Sequence, residues 1–317
     1  MKSKDIRRDE LTNRLSSFLW KEGKLNIKKV SGIKAHVLLM ETQNNQKYIL
    51  KRHKNREVLL QQWDFFKSIH NEFVIPFHPF PNGREFLSYR NNYFTIAPYT
   101  EGEKLNYKSA EDRKAAVYTI KNFHREARNI YLKRPVTRKH FLVKWHDRLL
   151  AFKQTEDLFY KHGFDFLFKD IVQTTAFQLQ LLSQFPWKLL ENRAQRNGTW
   201  VHGDVASHNL IQTAKQTFII DFDLLHCTAQ IYDFIQLGQR FLPYEKWEIE
   251  ELTKYNMIPE NQQKMWAYAV AVPSDIIREW LHFLNKKPAD VSKYLTSLDQ
   301  EWTYRQYFFK SIRKVLN

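Results

Sequence analysis

Three polar residues of this chain have the types and the spacing that phosphoryl-transfer chemistry requires. Asp204 and Asn209 lie five residues apart, and Asp221 follows twelve residues later, directly after the apolar Phe218-Ile219-Ile220. Phosphoryl transfer needs a carboxylate that accepts or orients the acceptor hydroxyl, and oxygen ligands that hold Mg²⁺ against the phosphates. One carboxylate, one carboxamide and a second carboxylate at these positions suit those three tasks.

A predicted β-hairpin would bring two of these residues together. Leu210-Ile211, a polar turn and Phe218 to Ile220 are predicted to form its two strands. Because the two ends of a hairpin adjoin, Asn209 and Asp221 can reach one metal ion. Mg²⁺ prefers oxygen ligands and keeps several waters, so two protein ligands and phosphate oxygens suffice. The alternative interpretation is an ordinary hairpin with polar ends.

A lysine at a strand end is the candidate contact to the nucleotide phosphates. Lys51 closes the apolar run Tyr48-Ile49-Leu50, and in a nucleotide site such a lysine is held by a helix glutamate. Glu57 is the candidate partner, although an acidic residue in a first helical turn is favourable without any function. Without a nucleotide site, Lys51 would be a solvated strand end.

The phosphate-covering loop is predicted at Lys29 to Lys34, which contains one glycine and no G-x-G-x-x-G motif. An ordinary loop is the alternative.

His124 is predicted to be a buried, hydrogen-bonded core histidine, and His202 is predicted to fix the Asp204 loop. Asp233 could accept backbone N–H bonds from that loop, or could be a simple helix N-terminal acid.

The order of elements predicts an α+β chain with two lobes. Hairpins with one helix, Asn55 to Ile69, occupy the first third, and the predicted strands are Ala35 to Thr42, Lys47 to Lys51, Glu85 to Tyr89 and Tyr93 to Ala97. Long helices follow, beginning with an apolar stripe at Ala116, Ile120, Phe123, Ala127 and Ile130. We therefore expect a small antiparallel N-lobe over residues 1–97 and a large, mainly helical C-lobe over residues 98–317.

The composition predicts a packed, strongly basic protein. The 317 residues carry a net charge of +16, and 43% of them are hydrophobic. A charge of this size favours anionic partners without choosing among them. Lys121 to Arg148 holds nine Lys and Arg but two acidic residues, so it could bind an anionic acceptor or nucleic acid. A solvated basic face is the commoner explanation, and no RRM, KH or zinc-finger pattern supports specific nucleic-acid binding.

The sequence also favours a cytoplasmic location. Met1 to Arg8 contains basic residues without an apolar run behind them, which predicts no signal peptide. No run approaches eighteen apolar residues, so no membrane span is predicted. One cysteine, Cys227, excludes an internal disulfide framework.

Taken together, these motifs resemble the aminoglycoside phosphotransferase and choline kinase-like superfamily. The resemblance rests on His202-Gly203-Asp204 with Asn209, on Ile220-Asp221-Phe222-Asp223, on Lys51, on Phe123-His124-x-x-Ala127 and on Tyr232-Asp233-Phe234. It implies a bilobal protein-kinase-like fold with ATP between the lobes. It further implies the following roles: Asp204 as catalytic base, Asn209 and Asp221 as Mg²⁺ ligands, Lys51 as phosphate lysine, and the backbone of Ile96, Ala97 and Tyr99 as the nucleotide contact.

Within that superfamily, the segment after His124 and the Ser207-His208-Asn209 ending are similar to the CotS-type spore coat proteins. That similarity implies association with the spore coat of a spore-forming bacterium, with coat proteins as partners. The chain departs from the superfamily in its glycine-poor phosphate loop. It also has His226-Cys227-Thr228 where a Gly-Asp element is often found. Its basic character disfavours a cationic aminoglycoside as acceptor.

Three functional hypotheses follow. The first is an active kinase that uses ATP and Mg²⁺ to phosphorylate a hydroxyl of a small molecule or a protein, including an acidic one. The second is a catalytically impaired pseudokinase that acts as a structural coat or scaffold protein. The third is a polyanion-binding protein that uses its basic face and ignores ATP.

Overall fold

A five-stranded antiparallel sheet forms the N-terminal part of the chain, with the strand order β1-β2-β3-β5-β4. Its strands are β1 (Ile27–Lys34), β2 (Val37–Thr42), β3 (Lys47–His53), β4 (Leu87–Tyr89) and β5 (Asn92–Pro98). The computed structural model describes residues 14–286 and 288–316. The segment from Met1 to Arg8, for which no signal peptide is predicted, lies outside the described residues.

The first hairpin differs from its prediction. Lys29 to Lys34 was predicted to be a loop, but these residues belong to β1 and pair with β2, with Val30 opposite Met40. Because the pairing continues to Lys34, only Ala35 and His36 remain for the turn. The element that could cover the phosphates is therefore a tight hairpin tip and not a glycine-rich loop.

One helix joins the sheet to the rest of the molecule. Residues 14–23 are helical (α1), and α2 spans Arg56–Ser68. Asn55 begins α2, since its Oδ1 accepts a hydrogen bond of 3.1 Å from the Val58 N–H. On the buried face of α2, the ring of Phe65 lies 5.4 Å from that of Trp200 and 6.2 Å from that of Phe123. These contacts pack α2 against residues that follow position 98.

The remainder of the chain is mainly helical. Its helices are α3 (Ala110–Glu126), α4 (Phe141–Lys153), α5 (Glu156–Lys161), α6 (Asp165–Ser183), α7 (Trp187–Arg196), α8 (Ile231–Phe241), α9 (Ile249–Thr253), α10 (Glu260–Ala271), α11 (Ser274–Asn285) and α12 (Val291–Leu316). Ser109 caps α3 by accepting a hydrogen bond from the Asp112 N–H. The apolar stripe predicted from Ala116 to Ile130 is buried, and the fully buried Phe123 lies at its centre.

Short strands between these helices support the loops that carry the polar motifs. The strands β6 (Glu103–Lys104), β8 (Leu210–Gln212) and β9 (Thr217–Ile219) form one antiparallel sheet, and β7 (Trp200–Val201) pairs with β10 (His226–Cys227). The predicted hairpin between Asn209 and Asp221 is therefore present, with Leu210 opposite Ile219.

Two apolar clusters fill the interior. The smaller one lies under the five-stranded sheet and includes Met40, Leu50 and Ile96. The larger one takes in the helices together with Phe65 and Val74 from the N-terminal part. The predicted α+β architecture, a small antiparallel sheet and a helical majority in two lobes, is confirmed, while the boundary at residue 97 stays a prediction. Among the described residues, none of the helices combines the length and the apolar character needed to cross a bilayer.

Candidate active site

The β8–β9 hairpin places the two predicted metal ligands beside each other. The Ile220 N–H donates a hydrogen bond of 2.9 Å to the Asn209 carbonyl, which extends the ladder to the position just before Asp221. Asp221 has φ 68° and ψ 66°, a left-handed conformation in which Asp and Asn are enriched among non-glycine residues. The backbone turns at this position and the strand ends there.

Lys51 lies between two carboxylates. Its Nζ is 2.6 Å from Asp221 Oδ1 and 2.7 Å from Asp223 Oδ1. Burial alone would raise the pKa of Asp221, but the charge and hydrogen bond of Lys51 outweigh it, and the pKa is lowered overall. The structure therefore brings the predicted phosphate lysine to an ionised Asp221.

The predicted partner Glu57 is not brought to this lysine. Glu57 is exposed and makes no ion pair within the described part of the chain. Further along α2, Gln62 Nε2 donates a bond of 3.3 Å to Asp223 Oδ1, and Gln61 Nε2 donates one of 2.9 Å to the Leu225 carbonyl. The prediction followed the residue type, but Glu57 lies in the exposed first turn of α2, and Gln61 and Gln62, one turn further on, reach the site instead.

Asp204 is held at both carboxylate oxygens and remains accessible. Arg240 Nη2 donates to Oδ1 at 3.0 Å, and Asn209 Nδ2 donates to Oδ2 at 3.2 Å. The side chain of Asp204 is 34% exposed. A carboxylate oxygen can accept more than one hydrogen bond, so this geometry orients Asp204 and leaves capacity for a hydroxyl donor.

A buried carboxylate supports the Asp204 loop. Asp233 Oδ1 accepts a 2.9 Å bond from the Gly203 N–H, and Oδ2 accepts bonds of 2.8 Å from the His202 N–H and from His124 Nε2. Burial alone would raise the pKa of Asp233, but these hydrogen bonds, with His124 foremost, lower it overall. The predictions that Asp233 accepts the loop N–H groups and that His124 is a bonded core histidine are confirmed.

The backbone of the same loop is fixed by two of its own residues. His202 Nε2 donates a bond of 3.0 Å to the Ile220 carbonyl, which ties the loop to the hairpin and confirms the scaffold role predicted for His202. Gly203 has φ +83°, and a Cβ there would lie 2.3 Å from the Leu224 carbonyl oxygen. Only glycine fits this close approach beside Asp204.

Sequence reasoning missed Arg240, although helical spacing could have found it. Asp233, Gln236 and Arg240 lie at positions i, i+3 and i+7 of α8, which share one face of a helix. Gln236 Nε2 donates a 3.0 Å bond to the Gly203 carbonyl, next to the two bonds made by Asp233. One face of α8 thus bonds to three consecutive residues of the loop, His202, Gly203 and Asp204. Asp223 was also missed as a partner of Lys51.

The stretch predicted to contact the nucleotide lies at the end of β5. Ile96 is fully buried, and its carbonyl accepts a 2.8 Å bond from the His78 N–H. The Tyr99 N–H donates a 3.1 Å bond to the Lys47 carbonyl, and Ala97 pairs with Ile49 in β3. The Ile96 carbonyl and the Tyr99 N–H are thus hydrogen-bonded within the protein, and a nucleotide contact at this stretch stays a prediction.

A cavity of about 850 Å³ opens beside Asp204 in the helical part of the chain. Gly203 and Asp204 lie in its wall together with residues of α4, α8 and α11. Lys51, Asn209 and Asp221 are not among its lining residues. Asp204 therefore borders a separate space of a size that holds a second molecule, and it also bonds to the predicted metal ligand Asn209.

This fold is shared with solved kinases. The structure is similar to that of an aminoglycoside phosphotransferase from Alicyclobacillus acidocaldarius, with a TM-score of 0.70, 18% identity, and coverage of 93% of this chain and 94% of that one. It is also similar to a spectinomycin phosphotransferase in complex with ADP and spectinomycin (TM-score 0.58, 12% identity, 94% and 93% covered). A third similar structure is an amicoumacin kinase in complex with AMP-PNP, Ca²⁺ and Ami (TM-score 0.61, 12% identity, 99% and 96% covered). The predicted protein-kinase-like fold is confirmed.

The family is established by sequence. The model of the phosphotransferase enzyme family matches residues 28–256, and the chain belongs to this family. No curated protein matches the sequence. Family and fold together define the chain as a kinase-type phosphotransferase.

Proposed function

We propose that the protein transfers the γ-phosphoryl group of ATP to a hydroxyl acceptor and that it depends on Mg²⁺. The observation that carries the proposal is the arrangement around Asp204. Asp204 is a partly exposed carboxylate that is fixed at both oxygens and borders a cavity. Asn209, which bonds to it, begins the hairpin that ends at Asp221, and Asp221 holds Lys51. Similar proteins crystallised with ADP or with AMP-PNP and Ca²⁺ support a nucleotide and a divalent ion here.

The donor atoms fit a magnesium ion. Asn209 Nδ2 is engaged by the Asp204 carboxylate and carbonyl, which leaves the Asn209 amide oxygen without a hydrogen bond in the described residues. Asp221 supplies a carboxylate on the neighbouring strand end. Oxygen donors of these two kinds are those that Mg²⁺ takes from proteins. The ion would neutralise charge on the transferred phosphoryl group.

The residues of the chain then divide the remaining work. Asp204 accepts the proton of the acceptor hydroxyl as the new oxygen–phosphorus bond forms and the bond to the ADP leaving group breaks. Arg240 and Asn209 keep the Asp204 carboxylate in position, and Lys51 supplies a positive charge to the phosphates. On this proposal, residues 1–97 form the nucleotide side, and residues 98–317 carry the catalytic loops and the acceptor site.

A scaffold without turnover is the second candidate. One observation favours it: the β1–β2 turn consists of Ala35 and His36 and offers no glycine backbone for close approach to phosphates. Association with a spore coat rests on the sequence similarity to the CotS-type proteins, and a cytoplasmic location rests on the composition. Both are proposals, and neither changes the chemistry expected at Asp204.

The choice between kinase and scaffold can be tested by thermal unfolding with nucleotides. A ligand present at about 100 times its Kd stabilises the folded state by about 2.7 kcal/mol. We expect Mg²⁺ with ATP to raise the Tm by several degrees, and Mg²⁺ with GTP serves as a comparison for base preference. An unchanged Tm with both nucleotides at millimolar concentration would favour the scaffold.

A further inference from the structure

The cavity beside Asp204 is lined by cations from three parts of the fold. Arg138 precedes α4, Lys144 and Arg148 lie one turn apart on α4, and Arg278 lies on α11. All four are half-buried. Side chains that are distant in sequence thus converge on a space that Asp204 also borders.

Three of these cations have no ion-pair partner among the described residues, whereas Arg278 Nη2 lies 2.9 Å from Glu279 Oε1. Arg138 Nη2 donates a bond of 2.5 Å to the Asp223 carbonyl, but its Nε is buried without a hydrogen-bond partner in the described residues. The side chains of Lys144 and Arg148 make no hydrogen bond or ion pair with any described residue. Burial, followed by the neighbouring Arg138 and Arg148, lowers the pKa of Lys144, as expected where cations repel one another.

The acidic residues of the same wall already have partners. Asp275 Oδ2 accepts a 2.5 Å bond from Arg305, although its Oδ1 is buried without one. Glu191 Oε1 accepts a 3.1 Å bond from the Tyr232 hydroxyl. Asp204 is held by Arg240. The charge available to a molecule inside the cavity is therefore mainly positive.

We propose that the acceptor is a small anion: a hydroxyl compound with a phosphate or carboxylate group that binds Arg138, Lys144 and Arg148 while its hydroxyl reaches Asp204. This inference rests on the proposed function. Guanidinium and ammonium groups bind such anions through charge-assisted hydrogen bonds. A volume of about 850 Å³ falls within the range of about 300–1,000 Å³ that small-molecule sites occupy, which favours a metabolite-sized acceptor over a polymer.

Binding to the protein saturated with AMP-PNP and Mg²⁺ tests the proposal. Glucose, glucose 6-phosphate and gluconate are matched probes, titrated by calorimetry at constant ionic strength; the second and third distinguish phosphate from carboxylate. We expect at least one anion to bind and glucose not to bind. K144Q/R148Q should weaken anion binding at least tenfold, and K144Q alone should weaken it measurably if the double variant does not fold.

The matched control is K153Q/K161Q, which removes the same charge from exposed positions outside the cavity. Equal anion affinity in both double variants would overturn the proposal, as would binding of glucose with affinity equal to that of the anions or no anion binding at millimolar concentration. If AMP-PNP itself does not bind, the proposed kinase function fails. The same titration of the nucleotide-free protein then still decides whether the cavity takes anions.

Discussion

Replacing Asp204 by Asn is expected to lower kcat for phosphoryl transfer by about 100- to 10,000-fold, the range typical of general-base removal. The amide cannot accept the proton of the acceptor hydroxyl. It also presents an NH₂ group that competes with the Asn209 and Arg240 donors, which now bond the two carboxylate oxygens at 3.2 and 3.0 Å. Nucleotide affinity should fall far less than kcat, because Lys51 and Asp221 do not bond to Asp204 and only the metal ligand Asn209 does. Coupled ADP release measures kcat, and calorimetry measures nucleotide affinity.

Asp64→Asn is the matched control for this variant. Asp64 is an exposed residue of α2, so the same chemical change there should leave kcat and Tm unaltered. Wild-type kcat in Asp204→Asn would refute the role of Asp204 as base. Loss of nucleotide binding together with a lowered Tm would instead assign Asp204 to the structure of the loop.

Replacing Asp233 by Asn is expected to destabilise the fold by about 3–5 kcal/mol, the cost of breaking a buried charged network by removing one partner. Asp233 is fully buried and accepts three hydrogen bonds, from the His124 ring and from the His202 and Gly203 N–H groups. An asparagine has one acceptor oxygen, and its NH₂ would face a donor. Urea unfolding measures the change through the midpoint at constant m-value. A loss below 1 kcal/mol would contradict the support assigned to Asp233.

The same residue makes the stability of the wild type depend on pH. The folded-state pKa of Asp233 lies below its unfolded value of about 3.9, so its contribution is complete above that pH and is lost as the pH falls through the folded pKa. Asp221, whose pKa is also lowered, acts in the same direction. The free energy of unfolding should therefore fall less steeply below about pH 4 in Asp233→Asn than in the wild type or Asp64→Asn. Parallel curves would show that Asp233 carries no such linkage.

Local patterns predicted the parts of the site that lie on one short stretch of chain. Asn209 and Asp221 flank a hairpin with an apolar second strand, and hairpin closure alone brings them together. For Asn209 and Asp221 the spacing along the chain therefore determines the spacing in the structure. Asp233 lies 30 residues after Gly203, and its predicted role rests on its residue type and on the resemblance of Tyr232-Asp233-Phe234 to the superfamily.

Contacts between distant segments could not be predicted in the same way. Glu57 is the right residue type and lies on the same side of α2 as Gln61, but one turn nearer the exposed start of the helix. A single sequence does not show which turn of a helix meets the site. The Lys29 to Lys34 segment is predicted to be a loop because it precedes the first predicted hairpin, yet pairing with β2 extends a strand through it. The cationic cavity depends on three elements meeting, with Arg138 and Arg278 separated by 140 residues.

The most direct test of the account is Mg²⁺-dependent binding of ATP, measured by calorimetry on the wild type and on Asp221→Asn. Asparagine suits this position because it tolerates the left-handed backbone, φ 68°, better than alanine would. Binding that strengthens with Mg²⁺ in the wild type and in Asp64→Asn, but not in Asp221→Asn, is the predicted result. No binding at millimolar ATP in a folded sample, or binding that is indifferent both to Mg²⁺ and to Asp221→Asn, would contradict the proposed kinase site.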